Sequence, residues 1–356
     1  MIDLYSMTEA ELSAFLQTLG EPKFRAKQIF SKLPTGVSIS EMTDLPKALR
    51  EKLETMCADT LPKVFKKLVS KIDGTVKYLF SLYDGECVES VLMHYQHGNT
   101  LCISSQVGCR MGCRFCASTI GGKVRDLTPS EMLGQVIAAT LASGERVSNI
   151  VMMGIGEPLD NYDNVIKFLR LVNHPDGLNI GYRHISLSTC GLVDGIRRLA
   201  GEGLPITLSV SLHAPTDEAR SEIMPVNRRY PIAELMDACC DYFTATGRRI
   251  SFEYTLIAGK NDTPEAATRL ASVLNGKLRS ERDGMPIHVN LIPVNEVKER
   301  EYVRSGKKAV SLFAATLEKH GIRATVRRKL GSDINASCGQ LRRETAQSSD
   351  KGDSST

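Results

Sequence analysis

Between Thr100 and about Arg328, six short β-rich runs alternate with stretches that carry helix-start chemistry, and no other feature limits the fold of this chain so strongly. The runs are Thr100–Ser104, Asn149–Met153, His184–Thr189, Ile206–His213, Ile250–Leu256 and Ile287–Ile292. Between them, Thr128-Pro129-Ser130-Glu131 puts Thr at an N-cap, Pro at the first helical position and Glu at the third, and Thr263-Pro264-Glu265 repeats the signal. This order predicts an α/β fold with a parallel sheet, a partial (β/α)6 barrel. Sites of such folds lie at the C-terminal ends of the strands, so chemistry is expected just after each run.

The flanks read differently. Thr8-Glu9-Ala10-Glu11 fits a capping box, and Leu49, Leu53 and Met56 recur at helical spacing after Pro46, so residues 1–60 are expected to be helical. Residues 61–98 alternate in polarity and contain Asp73-Gly74 and Asp84-Gly85, pairs that favour type I′ turns, which predicts a β-hairpin meander. Its Lys63, Lys66, Lys67, Lys71 and Lys77 form either a phosphate-facing patch or a solvated face. The barrel core is expected over residues 99–330, a loop over 331–341, and a polar, disordered tail over 342–356.

With 42% hydrophobic and 24% charged residues in 356, the chain has ordinary globular usage and can bury a large core. No run approaches the roughly 18 apolar residues of a membrane span, and the N-terminus lacks a signal-peptide pattern, so a cytoplasmic protein without membrane attachment is expected. The ten cysteines are then expected as reduced thiols. Cys57, Cys87, Cys190, Cys239 and Cys240 read as small buried hydrophobes. Cys102, Cys109, Cys113 and Cys116 fall within fifteen residues, and Cys338 stands alone near the end. Cys109-x-x-x-Cys113-x-x-Cys116, directly after the first barrel run, suits a soft metal centre, and three ligands leave one coordination position open. Cys102 as a fourth ligand of a structural zinc site is the alternative.

Here the residues resemble a known family. CRMGCRFC looks like the CxxxCxxC signature of the radical S-adenosylmethionine (SAM) superfamily. The flanking TLCISSQVGCRMGCRFCAST, then MGIGEPLDNYDNV, SLSTCG, SVSLHAP, VNLIPVN and SCGQL resemble, in order and over nearly the whole chain, the RlmN/Cfr family of RNA methyltransferases. The resemblance implies a 4Fe-4S cluster on Cys109, Cys113 and Cys116. It implies SAM contacts from Gly156, Glu157, Ser188, Ser211, Leu212, His213 and Asn295, residues at or just beyond the ends of strand runs. Read alone, Ser188, Ser211, His213 and Asn295 are each equally satisfied polar strand ends.

The implied reaction is methylation of C2 of adenosine in 23S rRNA and in tRNAs beside the anticodon. C2 lies between two ring nitrogens and is electron-poor, so simple polar methyl transfer should fail there. The family route methylates Cys338 with one SAM and uses a second SAM at the cluster to take hydrogen from that methyl group. The carbon then joins the base, Glu89 accepts the C2 proton, and Cys102 attacks the Cys338 sulfur to release RNA and leave a disulfide. Glu89, alternating in a hairpin strand, would otherwise read as surface. Where the family usually has DIDAACGQL, this chain reads Asp333-Ile334-Asn335-Ala336-Ser337-Cys338; the thiol is kept, and Gly331 and Gly339 flank a segment expected to move.

Implied partners are 23S rRNA, tRNA and a one-electron reductant of flavodoxin or ferredoxin type. The stretch EPKFRAKQIF resembles the family's RNA-binding accessory domain, and Arg228-Arg229, Arg248-Arg249, Arg327-Arg328-Lys329 and Arg342-Arg343 supply paired cations. Net charge, +4, is too small to argue for RNA by itself. Two alternatives stand beside this reading: a Cfr-type C8 methyltransferase, against which Pro158 speaks, and a non-catalytic zinc protein that binds RNA.

Overall fold

A computed structural model describes residues 1–279, 285–297, 299–336 and 341. Twelve strands are described: β1 (Lys63–Val69), β2 (Val76–Ser81), β3 (Cys87–Tyr95), β4 (Gly98–Cys102), β5 (Gln106–Gly108), β6 (Lys123–Asp126), β7 (Asn149–Met152), β8 (Ile185–Thr189), β9 (Thr207–Ser211), β10 (Ile250–Leu256), β11 (Ile287–Pro293) and β12 (Arg323–Val326). Ten of them form one sheet in the order β1-β2-β3-β4-β7-β8-β9-β10-β11-β12, and β5 pairs with β6 separately. The strands from β4 to β12 in that order run parallel, while β1, β2, β3 and β4 pair antiparallel. The fold is thus an open, partial barrel whose parallel part carries one strand more than the six expected. That strand, β12, is short and mostly exposed, so it has no hydrophobic alternation to announce it.

Alternation along each strand gives the sheet two chemically distinct faces. Ile250, Phe252, Tyr254 and Leu256 of β10, with Leu208, Val210, Val289 and Leu291 of its neighbours, join the main core beneath the helices. The residues between them form a polar inner face, where Ser186 Oγ meets Ser209 Oγ at 3.0 Å and Asn290 Nδ2 donates to Glu253 Oε2 at 2.7 Å. The helices between strands start as their sequences predict. Thr128 and Glu131 complete a capping box before Pro129–Ser143, and Thr263 caps Pro264–Leu274.

The N-terminal helices Glu9–Thr18, Phe24–Phe30 and Lys47–Met56 build a second core from Leu12, Leu16, Ile29, Phe30, Leu49 and Leu53, which meets the rest of the chain at Leu171. Its edge is stitched to the helix at Pro129 by Ser130 Oγ donating to Asp3 Oδ2 at 2.6 Å.

Two expectations for the meander need correction. Only the glycines of Asp73-Gly74 and Asp84-Gly85 have positive φ, whereas a type I′ turn needs it at both residues. The aspartates serve as acceptors instead, Asp73 for the amides of Thr75 and Gly331, and Asp84 for that of Glu86. Nor is the lysine group one patch. Lys77 is completely buried, Lys63 pairs with Asp59, and Lys67 donates to the Ala142 carbonyl, which leaves Lys66 and Lys71 facing solvent without such side-chain contacts among the described residues.

Candidate active site

The cysteine loop leaves β5 and is fixed at several points before any cofactor is considered. The Cys109 amide donates to the Gly122 carbonyl, and the Arg114 amide to the Ile223 carbonyl, both at 2.9 Å. Thr119 Oγ1 lies 3.0 Å from the carbonyls of both Cys113 and Cys116. Arg110 and Lys123 converge on Asp160, just past the β7 loop, at 2.5 and 3.0 Å. Cys109 and Cys113 are buried and Cys116 half-buried. Burial pushes the Cys109 thiol up to about 12 and Cys113 well above its usual range, a direction that a bound cation would oppose by favouring the thiolates.

These residues fit an iron-sulfur cluster better than one ion. A single ion bound by thiolates at about 2.3 Å needs its sulfurs within about 4 Å of each other. Among the described residues, only Glu9, His174 and Asp176 bring three such donors within 4.8 Å of one another, so the three cysteine sulfurs are spread too widely for that. A cluster, in which each sulfur takes a different iron, accepts the wider spacing. Ser118, directly beyond the loop, has a buried hydroxyl with no hydrogen-bond partner among the described residues, a donor that a bound group would satisfy.

The loop after β7 carries Gly154, Gly156 and Glu157. Gly156 has φ +109°, and a Cβ there would lie 2.6 Å from Gln106 Cβ, so the glycine admits the chain's own strand and not only a ligand. Glu157 is buried; its carboxylate accepts the amides of Cys190 at 2.6 Å and Leu159 at 3.1 Å, and burial still pushes its pKa up. It therefore ties the β7 loop to the end of β8.

Ser188 and Ser211 lie at or next to the ends of β8 and β9, and Leu212 and His213 come directly after. The Leu212 side chain belongs to the main core, so only its backbone faces the strand ends. His213 has φ +58°, accepts the Thr255 amide at Nδ1 (2.9 Å), and meets the Phe115 ring edge-on at 4.9 Å. Burial first, then the Arg220 charge, lowers its pKa to about 3, so the ring is neutral with its proton on Nε2.

Sequence reasoning does not single out Arg220, although it organises this ledge. The fully buried guanidinium donates to the carbonyls of Cys190 (2.7 Å), Ser211 (3.2 Å), Leu212 (3.2 Å) and Tyr230 (3.4 Å) and to Asn227 Oδ1 (2.9 Å). It joins the ends of two strands whose residues are expected to hold SAM. Gly191 has φ +101°, and a Cβ there would approach Arg220 Nη2 to 3.0 Å.

One cavity of about 250 Å³ opens at the C-terminal end of the sheet. Its lining includes Cys102, Cys116, Asn295 and Ala336, with Arg304, Arg327, Arg328 and Lys329 as cations. Cys102 ends β4, is 3% exposed, and packs with Val91 and Met93 against Leu330 and Ala336. Cys338 lies outside the described residues, as do Ser337, Gly339 and Arg342-Arg343; Ala336 precedes Cys338 by two positions. Glu89 is not at the surface. It pairs with Lys77 at 3.0 Å, both side chains being nearly fully buried on the same side of the sheet as Val91.

The comparisons agree with this geometry. Residues 103–271 match the radical SAM superfamily, and residues 2–58 match the ribosomal RNA large subunit methyltransferase N-terminal domain. A solved radical SAM methyltransferase from Sphaerobacter thermophilus superposes with a TM-score of 0.89 at 44% identity, covering 96% of this chain and 99% of that one. The probable dual-specificity RNA methyltransferase RlmN of Lachnoclostridium phytofermentans is 53% identical over 96% of this chain and 94% of its own length. The chain belongs to the RlmN family of radical SAM RNA methyltransferases. The RlmN protein of Lachnospira eligens, likewise described as a probable dual-specificity enzyme, is 51% identical over 99% of both chains. Family membership makes this chain an RNA-methylating enzyme that uses SAM and an iron-sulfur cluster, which removes the non-catalytic zinc reading. No helix among the described residues is long and apolar enough to cross a membrane.

Proposed function

We propose that this enzyme methylates C2 of adenosine in 23S rRNA and in tRNAs beside the anticodon, through S-methylcysteine at Cys338 and with two SAM consumed per turnover. The observation that carries the reading is the cavity lined by Cys102, Cys116, Asn295 and Ala336, which joins the cysteine loop to the chain that leads into Cys338. On this reading Cys109, Cys113 and Cys116 hold a 4Fe-4S cluster. Gly156, Glu157, Ser188, Ser211, Leu212, His213 and Asn295 bind SAM, the Leu212 contact being made by backbone. When bound, cluster and SAM supply one-electron cleavage of SAM, driven by a flavodoxin- or ferredoxin-type donor.

The protein's own residues do the rest. Cys338 presents the methyl carbon to the base. Glu89, buried and ionically paired with Lys77, accepts the C2 proton. After the adduct has passed one electron back to the one-electron donor chain, Cys102 attacks the Cys338 sulfur; the sulfur–carbon bond breaks with its electron pair on the delivered carbon, which takes up a proton to become the methyl group, and the disulfide left behind is later reduced by an external thiol. Peptide mass spectrometry of protein purified from SAM-replete cells tests the proposal: a methyl group on Cys338 is expected, and an unmodified thiol with full activity refutes it. Mass analysis of the product nucleoside separates C2 from C8 methylation.

The cavity rim makes a further prediction for RNA. Arg327, Arg328 and Lys329 line the opening, and none forms an ion pair within the protein among the described residues. Replacing Arg327 and Arg328 together with Glu is expected to weaken RNA binding by at least about tenfold at moderate salt and to flatten its dependence on salt by roughly two phosphate contacts. Filter binding across a salt series measures both. Arg229 already pairs with Asp194, so its replacement should matter less.

A further inference from the structure

Lys77 is a lysine whose side chain is wholly withdrawn from solvent, and its ammonium spans two parts of the proposed machinery. It lies 3.0 Å from Glu89 Oε2 and donates to the Asn335 carbonyl at 2.8 Å. Asn335 has φ +46° and ends a short turn that begins at Gly331, φ +57°. The other hydrogen bonds to that turn from elsewhere among the described residues come from the meander's first hairpin. Asp73 accepts the Gly331 amide at 2.9 Å, and Asp333 accepts Ser70 Oγ at 2.7 Å and the Lys71 amide at 2.8 Å. Asp333 is exposed, so water competes for its bonds, whereas the Lys77 bond is made by a fully buried ammonium, which reaches out to the carbonyl of the exposed Asn335.

From this juxtaposition we infer that Lys77 is a positioning residue, whose single ammonium docks the Gly331–Ala336 turn and orients the Glu89 carboxylate at the same time. The inference rests on the reading in which Glu89 accepts the proton and the cysteine two residues past Ala336 carries the carbon. It assigns Lys77 no contact with substrate. A lysine suits the place because its three donors radiate from one point and can serve a carboxylate and a carbonyl together. The turn and the acceptor then come into register as one unit, so a departing turn loosens the ammonium that orients Glu89.

The test compares K77M, K77R and the doubly neutral K77M/E89Q in the full-length, cluster-loaded enzyme. Hydrogen exchange of the 331–336 amides is expected to rise at least roughly tenfold in K77M, with the N-terminal helices and the inner strands unchanged, because a charge-assisted bond is lost locally. RNA methylation by K77M is expected to fall by roughly ten- to a hundredfold in kcat with the RNA KM within about twofold, and K77R is expected to restore most of it. Unchanged exchange in 331–336, or a loss that K77R does not rescue, overturns the inference. Should K77M fold poorly because Glu89 is left buried alone, K77M/E89Q removes both charges, and its 331–336 exchange must still rise. Wild-type enzyme without S-methylcysteine at Cys338 overturns the underlying reading, whereas wild type that carries it beside an unaltered K77M overturns the inference alone.

Discussion

Cys102→Ala is expected to stop turnover and leave RNA covalently attached to the protein. The steady-state rate should fall by about a thousandfold or more, as when a nucleophile that acts within a concerted set is removed. The structural cost is small. Cys102 is 3% exposed at the end of β4, in contact with Val91 and Met93, and loss of one sulfur leaves a void smaller than a methylene pair. A denaturing gel should therefore show a slow band that nuclease digestion returns to the protein's position, while iron and sulfide contents match the wild type. Loss of iron would instead make Cys102 a ligand and remove the resolving role. Cys338→Ala separates the halves of the reaction, since it also abolishes methylation but yields no crosslink. The two variants therefore discriminate a carrier from a resolver, which neither does alone.

How much of the molecule is legible in the amino-acid order depends on the range of the interactions. The strand Ile250–Leu256 appears at its predicted bounds, because Ile250, Phe252, Tyr254 and Leu256 alternate with Ser251, Glu253 and Thr255 and the period of two records which face meets the helices. The capping boxes at Thr8 and Thr128 are equally local and equally legible. β12 escapes this logic, since Arg323-Ala324-Thr325-Val326 is held by its pairing with β11 and not by a buried face. Glu89 and Lys77 are 12 positions apart on different strands, so nothing local announces that the two charges neutralise one another indoors. Taken singly, one reads as surface and the other as part of a basic patch. The glycines of the β7 loop, taken from sequence, make room for a ligand, yet the atoms a side chain would strike belong to Ile103 and Gln106. Motif spacing locates the chemistry, but tertiary contacts decide which residue faces it.

Arg220→Met should be the most damaging change outside the residues that touch cofactor or substrate. The substitution keeps a long apolar stem but removes donors from the carbonyls of Cys190, Ser211, Leu212 and Tyr230, all held behind the strand ends. The Leu212 carbonyl keeps the Ala214 amide at 2.8 Å; each of the other buried carbonyls left without this donor costs about 1–3 kcal/mol, and partial relaxation keeps the sum below simple addition, so a loss of about 3–5 kcal/mol is expected. Denaturant titration measures it. The functional effect should exceed what global stability explains. With Arg220 gone, the Ser211 carbonyl loses this donor and can swing toward the ligand side, so SAM affinity should weaken at least about tenfold even where the protein stays folded, by equilibrium dialysis at low temperature. Arg220→Lys should recover little of either loss, because one ammonium cannot reach acceptors that are splayed around a planar fork. If Arg220→Lys binds SAM like the wild type, then charge alone suffices, and the guanidinium geometry is not what sets the ledge.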